Sequence, residues 1–327
     1  MSALNTTHLA AGFFAPITDL GLIALDGEES ASFLHNQLTN DVEHLGPNEA
    51  RLAGYCSPKG RLLASFLMWR TASTIFLQLQ RDIQVPVQKR LSMFVLRAKT
   101  KLSDATEAPA NQVLLGIGGA SAPAVLQTWF DALPAQPYAK IDHALGTLIR
   151  VADAFGAPRY QWLLSADAAE TVKPVLAAKL AQGDVAAWHL SEIHAGVPQI
   201  TKATQEQFVP QMVNYELLGG VNFKKGCYPG QEIVARSQYL GKLKRRTTLV
   251  SIPDLSAAAG MEVFATADPE QPCGMIVNAA PNGDGGVDAL VEMKLAAIEA
   301  GSVRLGSADG VALTFLDMPY VLEPLDL

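Results

Sequence analysis

Strand-like and helix-like hydrophobic patterns alternate along the first hundred residues. Residues 20–27 form a short apolar run that ends at an Asp-Gly turn, which predicts a strand. Residues 28–38 carry apolar side chains at helical spacing, with acidic residues in the first turn, and predict a helix. Two strand-like runs within 50–70 are separated by a Ser-Pro-Lys-Gly turn, and 74–80 alternates with a period of two. Residues 87–97 are again helical, so strands and helices are interleaved in this region.

The pattern starts again near residue 112. Strands are predicted at 112–119, 146–155 and 159–166, and helices at 121–130, 168–181 and 186–196. The glycines of "GIGG" at 116–119 lack the third glycine and the later acidic residue of a dinucleotide fingerprint, which argues against that kind of site. Residues 197–222 are rich in loop-forming residues.

From Arg246 onwards the chain has short strand patterns separated by Gly, Pro, Asp and Asn turns. The predicted strands are 246–252, 261–267, 273–280, 288–295 and 302–306. This arrangement is typical of a small all-β domain, and we expect a β-barrel over 242–327. The preceding residues 1–241 are expected to form an α/β region of two subdomains, 1–110 with 186–241, and 111–185.

Composition narrows the class of protein. The 327 residues are 49% hydrophobic and 17% charged, which is typical of a globular chain with more than one domain. A net charge of −7 argues against tight nucleic-acid binding through phosphate neutralisation. No apolar run approaches the roughly 18 residues that span a bilayer, and the N-terminus has no signal-peptide pattern. Three dispersed cysteines argue against a disulfide framework, so a cytoplasmic location is expected.

The segment "FKKGCYPGQE" at 223–232 carries the main candidate chemistry. Cys227 follows Lys224 and Lys225, and Gly226 and Gly230 lie on either side of the Cys-Tyr-Pro sequence. Adjacent cations and free backbone N–H groups would stabilise a thiolate. A buried structural cysteine in a tight turn is the alternative. The lysine pair favours a reactive thiol, without excluding the structural interpretation.

Four motifs in order along the chain resemble one known family. They are "NQLTNDV" at 36–42, "CSPKGR" at 56–61, "FVPQMVN" at 208–214, and "KKGCYPGQE" continuing into "IVAR" at 224–236. Together they resemble the YgfZ family of folate-binding proteins, relatives of the T-protein (aminomethyltransferase) of the glycine cleavage system. The resemblance extends over about residues 20–327.

The resemblance implies a fold and a function. The implied fold is a mixed α/β ring of two intertwined units with a small C-terminal β-barrel, around a folate-binding opening. The implied role is folate-dependent assembly or repair of iron–sulfur clusters, in support of cluster enzymes such as one that thiomethylates tRNA. The expected cofactor is tetrahydrofolate or another folate, and the expected partners are iron–sulfur enzymes or cluster-assembly proteins. No resident metal is expected, because three dispersed cysteines fall short of the usual four cluster ligands.

The resemblance also implies roles for particular residues. Cys227 and Lys225 would be the reactive pair. The candidate folate-binding residues are Leu20, Asp41, Trp188, His194, Asn214, Tyr228, Gln231, Glu232 and Arg236. For Trp188, a core position on an amphipathic helix is an equally open alternative. For Asp41, the alternative is a plain turn after a helix.

The sequence departs from its relatives at three places. The segment 60–68, where the T-protein keeps catalytic carboxylates, contains no acidic residue, which argues against aminomethyl transfer, the alternative function. His194 stands where the superfamily often has a glutamate, and an imidazole offers one donor and one acceptor instead of two acceptors. Leu20 stands at an aromatic position of the family. The last two departures predict that folate binds more weakly or in a different pose.

Some features allow more than one interpretation. Cys56 and Lys59 either line the folate opening or form a simple hairpin turn, and Cys273 is interpreted as structural. The basic run 242–246 could attract tRNA phosphates or a folate polyglutamate tail, although a solvated linker fits it better. A third function is a non-catalytic scaffold that docks a cluster enzyme or tRNA.

Overall fold

The computed structural model describes residues 4–106, 112–239 and 243–322. Spatial contacts divide these residues into two compact units. Unit one comprises 4–33, 42–51, 67–106 and 112–191, and unit two comprises 34–41, 52–66, 192–239 and 243–322. The predicted boundaries at 110/111 and 241/242 and the first residue of the basic run, Lys242, lie outside the described residues. The predicted domain ranges stay predictions.

The helices and strands are numbered in chain order. The first part of the chain contains α1 (Thr6–Ala11), β1 (Phe13–Pro16), β2 (Leu20–Asp26), α2 (Ser30–His35), β3 (Ala50–Cys56), β4 (Leu62–Arg70), β5 (Thr74–Gln80), α3 (Arg81–Met93) and β6 (Lys101–Asp104). The middle part contains β7 (Gln112–Gly118), α4 (Ala122–Leu126), β8 (Lys140–His143), β9 (Gly146–Ala154), β10 (Ala157–Ser165), α5 (Ala166–Ala177), β11 (Ala181–Gln182) and α6 (Val185–His194). The last part contains a 3₁₀ turn (Pro210–Val213), α7 (Gln231–Tyr239), β12 (Arg245–Ile252), β13 (Glu262–Ala265), β14 (Asp268–Pro281), β15 (Val287–Lys294), α8 (Leu295–Ala300), β16 (Val303–Leu305) and β17 (Thr314–Leu316).

The first sheet of unit one has six strands in the order β11-β1-β7-β10-β9-β8. Its strands pair antiparallel except β11, which runs parallel to β1. Helix α5 begins where the Ser165 side chain accepts a hydrogen bond from the Ala168 amide, as expected of an N-cap serine. Its Val172 and Leu176 are buried with Trp162 of β10 in one hydrophobic cluster, so the helix is held on the sheet by its apolar face.

The second sheet of unit one is formed by the end of β4 with β5, β2 and β6, in that order. β2 pairs with β5 over its whole length, from Leu20 opposite Gln80 to Asp26 opposite Thr74. Helix α3 buries Ile83, Val87 and Leu91, which recur every four residues and form its apolar face. The pairing fixes Leu20 at the first position of its strand.

Unit two contains the curled C-terminal sheet, a half-barrel of six antiparallel strands. Its order is β16-β13-β14-β15-β12-β17, and within the described residues no ladder joins β16 to β17. Its inner face buries Val250, Ile276, Val291 and Cys273 in one cluster. All five strands predicted for this region are present, and Cys273 lies in the core, in keeping with a structural cysteine.

Candidate functional site

Cys227 lies on an exposed segment of unit two, residues 223–230, which we call the cysteine loop and which leads into α7. All three cysteines are free and lie in the described part of the chain. Cys56 and Cys273 are buried, whereas Cys227 is exposed. Burial raises the pKa of the Cys56 thiol to about 12, so that group stays protonated at neutral pH. Cys227 is therefore the accessible thiol of this protein.

Lys225 anchors the cysteine loop to the end of α2. Its Nζ donates hydrogen bonds to the carbonyl oxygens of His35 and Leu38, the latter at 2.9 Å. The same ammonium group lies 4.8 Å from the centre of the Tyr228 ring. A cation at the carbonyl end of a helix also interacts favourably with the helix dipole. The charge of Lys225 is thus engaged by the helix end and the ring, and its main contribution is to hold the loop in place.

Asp41 lies in a short segment fixed by its neighbours. Thr39 donates a 2.6 Å hydrogen bond to the Gly220 carbonyl. The amide of Asn40 donates to the Leu52 and Gly219 carbonyls, both at 2.7 Å. The Thr39 and Asn40 side chains are buried, so hydrogen bonds tie this segment to other parts of unit two. The predicted folate contact of Asp41 stays a prediction.

His35, which sequence reasoning missed, lies between Asp41 and the cysteine loop. Its Nδ1 is 3.1 Å from Oδ1 of Asp41, although the two groups are not aligned as a hydrogen bond. A Cβ atom added to Gly226 would lie 3.7 Å from His35 Nε2. The imidazole edge therefore faces the position of Gly226, the residue that precedes Cys227. No sequence signal marked this histidine, because the cysteine loop that it borders lies about 190 residues away along the chain.

The turn between β3 and β4 packs against the other end of the cysteine loop. Gly230 has φ of 80°, and a Cβ there would lie 2.4 Å from the Ser57 carbonyl oxygen. Gly60, with φ of 71°, makes a similarly close approach to Ile233 of α7. Both positions require glycine, because a side chain would be strained by its φ and would clash. The "CSPKGR" and cysteine motifs are thus brought together, with Lys59 exposed beside them.

Tyr228 is the buried residue of the cysteine loop, and the motif continues from Gln231 onwards on α7. Burial raises the pKa of Tyr228, with a smaller contribution from Cys56 nearby. Gln231 is half-buried at the start of α7, whereas Glu232 and Arg236 are exposed. Within the described residues, the side chains of Glu232 and Arg236 make no hydrogen bond or ion pair, so both are accessible to a ligand or partner. Their predicted folate contacts stay predictions.

Asn214 belongs to a second, buried polar cluster of unit two. It adopts a left-handed φ of 57°, and its amide donates to the Thr247 carbonyl at 2.8 Å. Beside it, Arg246 donates to the Glu216 carboxylate, and the two side chains are only 3% and 4% exposed. Burial raises the pKa of Glu216 in spite of the opposing charge of Arg246. Arg246, the last residue of the basic run 242–246, is therefore buried in an ion pair and is not a surface cation.

His194 is paired with a buried aspartate of β15. Its Nε2 lies 2.7 Å from Oδ2 of Asp288, and Asn282 donates to the other carboxylate oxygen at 3.0 Å. Burial alone would raise the pKa of Asp288, but hydrogen bonds from His194, Asn282 and Ser251 outweigh burial and lower it. The carboxylate therefore engages one of the two imidazole nitrogens of His194, and its predicted folate contact stays a prediction.

The two remaining folate candidates lie in unit one. Trp188 is 1% exposed, its ring lies 4.9 Å from the Arg159 guanidinium carbon, and a Cβ added to Gly116 would come within 2.1 Å of it. The core interpretation of Trp188 fits this packing. Leu20 borders a cavity of about 260 Å³ that is also lined by Thr18, Trp69 and Gln78. The predicted folate residues are thus distributed over several places, and of these residues Leu20 lines this cavity of unit one.

Within 4–106, 112–239 and 243–322, no group of three or more His, Cys, Asp or Glu side chains could hold a metal ion. Among the helices in the same ranges, none is both long and apolar enough to cross a membrane.

Comparison with known proteins defines the class and then the family. The fold is similar to that of the glycine cleavage system aminomethyltransferase T from Bartonella henselae, with a TM-score of 0.74 over 96% of this chain and 88% of that chain. Sequence identity is 17%, so the likeness establishes the fold, and the predicted T-protein-like architecture is confirmed. The chain combines this fold with an exposed cysteine loop.

Curated relatives identify the family. The chain is 33% identical over 235 residues to the tRNA-modifying protein YgfZ of Cronobacter sakazakii, covering 70% of this chain and 68% of the relative. It is 30% identical over 321 residues to the protein of the same name in Enterobacter sp. (strain 638), covering 94% and 93%. No family model matches the chain. The chain belongs to the YgfZ family.

Proposed function

We propose that this protein is a folate-binding accessory factor in tRNA modification, which supports the iron–sulfur clusters of the enzymes involved through the thiol of Cys227. The curated relatives are named tRNA-modifying proteins. The observation that carries the proposal for this chain is the contrast between its cysteines: two are buried and inert, whereas Cys227 is exposed on an anchored loop. A thiolate there can act as a nucleophile or as a soft ligand for iron in transit.

Replacement of the thiol tests this proposal. We expect Cys227→Ser to abolish the restoration of thiomethylated tRNA in a bacterial strain that lacks its own family member, because a hydroxyl is a far poorer nucleophile and soft-metal ligand. Thermal unfolding should be unchanged, because the side chain is exposed. Nucleoside mass spectrometry measures the modified tRNA.

Cys273→Ala is the matched control, because it removes a buried cysteine from the half-barrel core. It should lower stability while leaving tRNA modification intact at a permissive temperature. Full restoration by Cys227→Ser would show that the thiol has no part in the function.

The folate part of the proposal rests on the family and on the Leu20 cavity. Ligand sites usually have volumes of about 300–1,000 Å³. A cavity of about 260 Å³ therefore suits a single ring system rather than a whole folate. Thr18 and Gln78 offer the hydroxyl and amide groups that a pterin edge requires. A bound tetrahydrofolate would supply a carrier for one-carbon units.

Titration with tetrahydrofolate tests the cavity. We expect Leu20→Glu to weaken calorimetric binding at least tenfold, because it places a carboxylate beside an anionic ligand in a partly apolar site. Leu217→Glu is the control, because Leu217 is already 40% exposed and belongs to unit two. Equal affinity of the two variants would exclude the cavity as the folate site.

Aminomethyl transfer is the alternative function, because the fold is similar to that of an aminomethyltransferase. In the segment that matches the catalytic carboxylates of the T-protein, β4 places Leu62, Leu63 and Ala64, all of them buried. None of these side chains can orient or protonate a reacting amine. Turnover of an aminomethyl donor with tetrahydrofolate by the purified protein would favour the alternative.

A further inference from the structure

We infer that His35, oriented by Asp41, accepts the proton of the Cys227 thiol and so acts as the base of the proposed site. This inference rests on the proposed function in taking Cys227 as the reactive group. It assigns a role to a histidine that lies outside all four motifs by which the family was recognised.

The first observation is the fixed position of the imidazole. His35 is 9% exposed, and its carbonyl accepts a hydrogen bond from Lys225 of the cysteine loop. A Cβ atom added to Gly226, the next residue of the loop, would lie 3.7 Å from the imidazole Nε2. Because adjacent Cα atoms are about 3.8 Å apart, the Cα atom of Cys227 lies one peptide unit beyond this glycine. The exposed thiol therefore belongs to the residue that follows the one bordering the imidazole.

The second observation is the chemical state that Asp41 favours. Its Oδ1 lies 3.1 Å from Nδ1, which is buried and, among the described residues, has no aligned hydrogen-bond partner. A small rotation of the ring aligns Nδ1–H with this carboxylate. The carboxylate then favours the tautomer with its proton on Nδ1, which leaves the Nε2 lone pair facing the loop. A nucleophile, a base and a group that orients the base are the usual parts of an activated thiol site.

The step itself is a proton transfer. The S–H bond of Cys227 breaks, an N–H bond forms at Nε2, and a thiolate–imidazolium pair results, with the Asp41 carboxylate offsetting the positive charge. The proton returns to sulfur when the thiolate is released from its partner. No oxidant or further reactant takes part.

Other charged groups around the loop are differently placed. Lys225 is engaged by the helix end, and Lys224 and Lys59 are exposed to solvent, where their effect on a thiolate is screened. Tyr228 and Cys56 are buried, and the pKa of each is raised by burial, so both are neutral at pH 7. Of the groups on the loop, on α2 with its connector and on the β3–β4 turn, His35 is therefore the one suited to take the proton.

Alkylation kinetics test the inference on the full-length protein. The rate of iodoacetamide addition to Cys227 is measured against pH by intact mass and peptide mapping, with Cys227→Ser as the blank. We expect His35→Gln to slow addition about tenfold at pH 7, because less thiolate is present. The two rates should converge near pH 10, where a thiol ionises without help. A purely structural change would slow or accelerate addition at every pH.

Two further variants complete the design. Asp41→Asn should shift the profile in the same direction by a smaller amount, because it keeps the size of the side chain but removes the charge that orients His35. His44→Gln makes the same substitution at an exposed histidine and should leave the profile unchanged. Identical profiles for His35→Gln and the wild type, or a uniform change at all pH values, would overturn the inference.

The outcome is independent of the proposed function. If Cys227→Ser still restores tRNA modification but the alkylation profile depends on His35, the proposed function fails and the proton transfer stands. If Cys227→Ser is inactive and the profile does not depend on His35, the proposed function stands and the assignment of the base is wrong.

Discussion

Arg246→Met is expected to lower the free energy of unfolding by about 3–5 kcal/mol, because it leaves the buried Glu216 carboxylate without its cation. Both side chains are almost fully enclosed, and burial already raises the pKa of Glu216. Arg246 also donates to the Gln211 carbonyl at 3.0 Å, so a backbone acceptor loses its partner too. Urea unfolding followed by circular dichroism measures the change.

The double variant Arg246→Met with Glu216→Leu should recover most of this loss, because apolar groups of similar volume often replace a buried pair at little cost. Lys99→Met is a surface control. Its partner Glu28 is 76% exposed, so breaking that pair should cost less than about 1 kcal/mol. A single Arg246→Met variant as stable as the control would mean that Glu216 is not charged in the folded protein.

Gly230→Ala is expected to destabilise the protein by about 2–4 kcal/mol and to detach the cysteine loop from the β3–β4 turn. The left-handed φ costs a side chain about 1–2 kcal/mol, and the clash with the Ser57 carbonyl adds a cost typical of overpacking. Since Cys227 itself is unchanged, impaired tRNA modification in this variant would reflect the placement of the thiol. Unfolding and limited proteolysis of the loop report the two effects.

Gly219→Ala separates strain from clash. Gly219 has a similar φ of 73°, but a Cβ there would meet nothing within 4 Å. Gly219→Ala should therefore lower the free energy of unfolding only through backbone strain, by about 1–2 kcal/mol. Proteolysis of the cysteine loop should not change. Equal losses of stability for the two variants would contradict the close contact described at Gly230.

The predictable parts of the fold are those with a strong local pattern. The strands β2, β4, β5 and β12 follow from short apolar runs bounded by turn residues, and the structure places them close to the predicted limits. Helix α3 was predicted only from residue 87, yet it begins at Arg81 and includes Pro86. Proline normally ends a helix, because it removes a backbone hydrogen bond and clashes with the preceding turn. In α3, packing of the apolar face on the sheet outweighs this cost of Pro86.

The site was predictable only where a motif carried it. Exposure of Cys227 agrees with its unusual sequence, but the neighbours of the motif residues depend on contacts between distant parts of the chain. The His35 carbonyl accepts a hydrogen bond from Lys225, which is 190 residues away along the chain. His194 pairs with Asp288, which is 94 residues away. From the sequence, Trp188 is open to a core or a folate-binding interpretation, and the close approach of its ring to Gly116 fits the core position. No local sequence pattern predicts such pairings.

The division of the chain has a consequence for synthesis on the ribosome. Every described residue of unit one precedes Glu192, so this unit can complete its two sheets while the part of the chain after residue 191 is still being made. Unit two cannot fold at that stage, because its segments 34–41 and 52–66 pack with residues that follow 191 and are synthesised later. During this interval Leu34, Leu38 and Phe66, which end up buried, lack their unit-two partners. Exposed apolar segments of this kind favour aggregation, so the nascent chain is a natural client for a chaperone until the cysteine loop emerges.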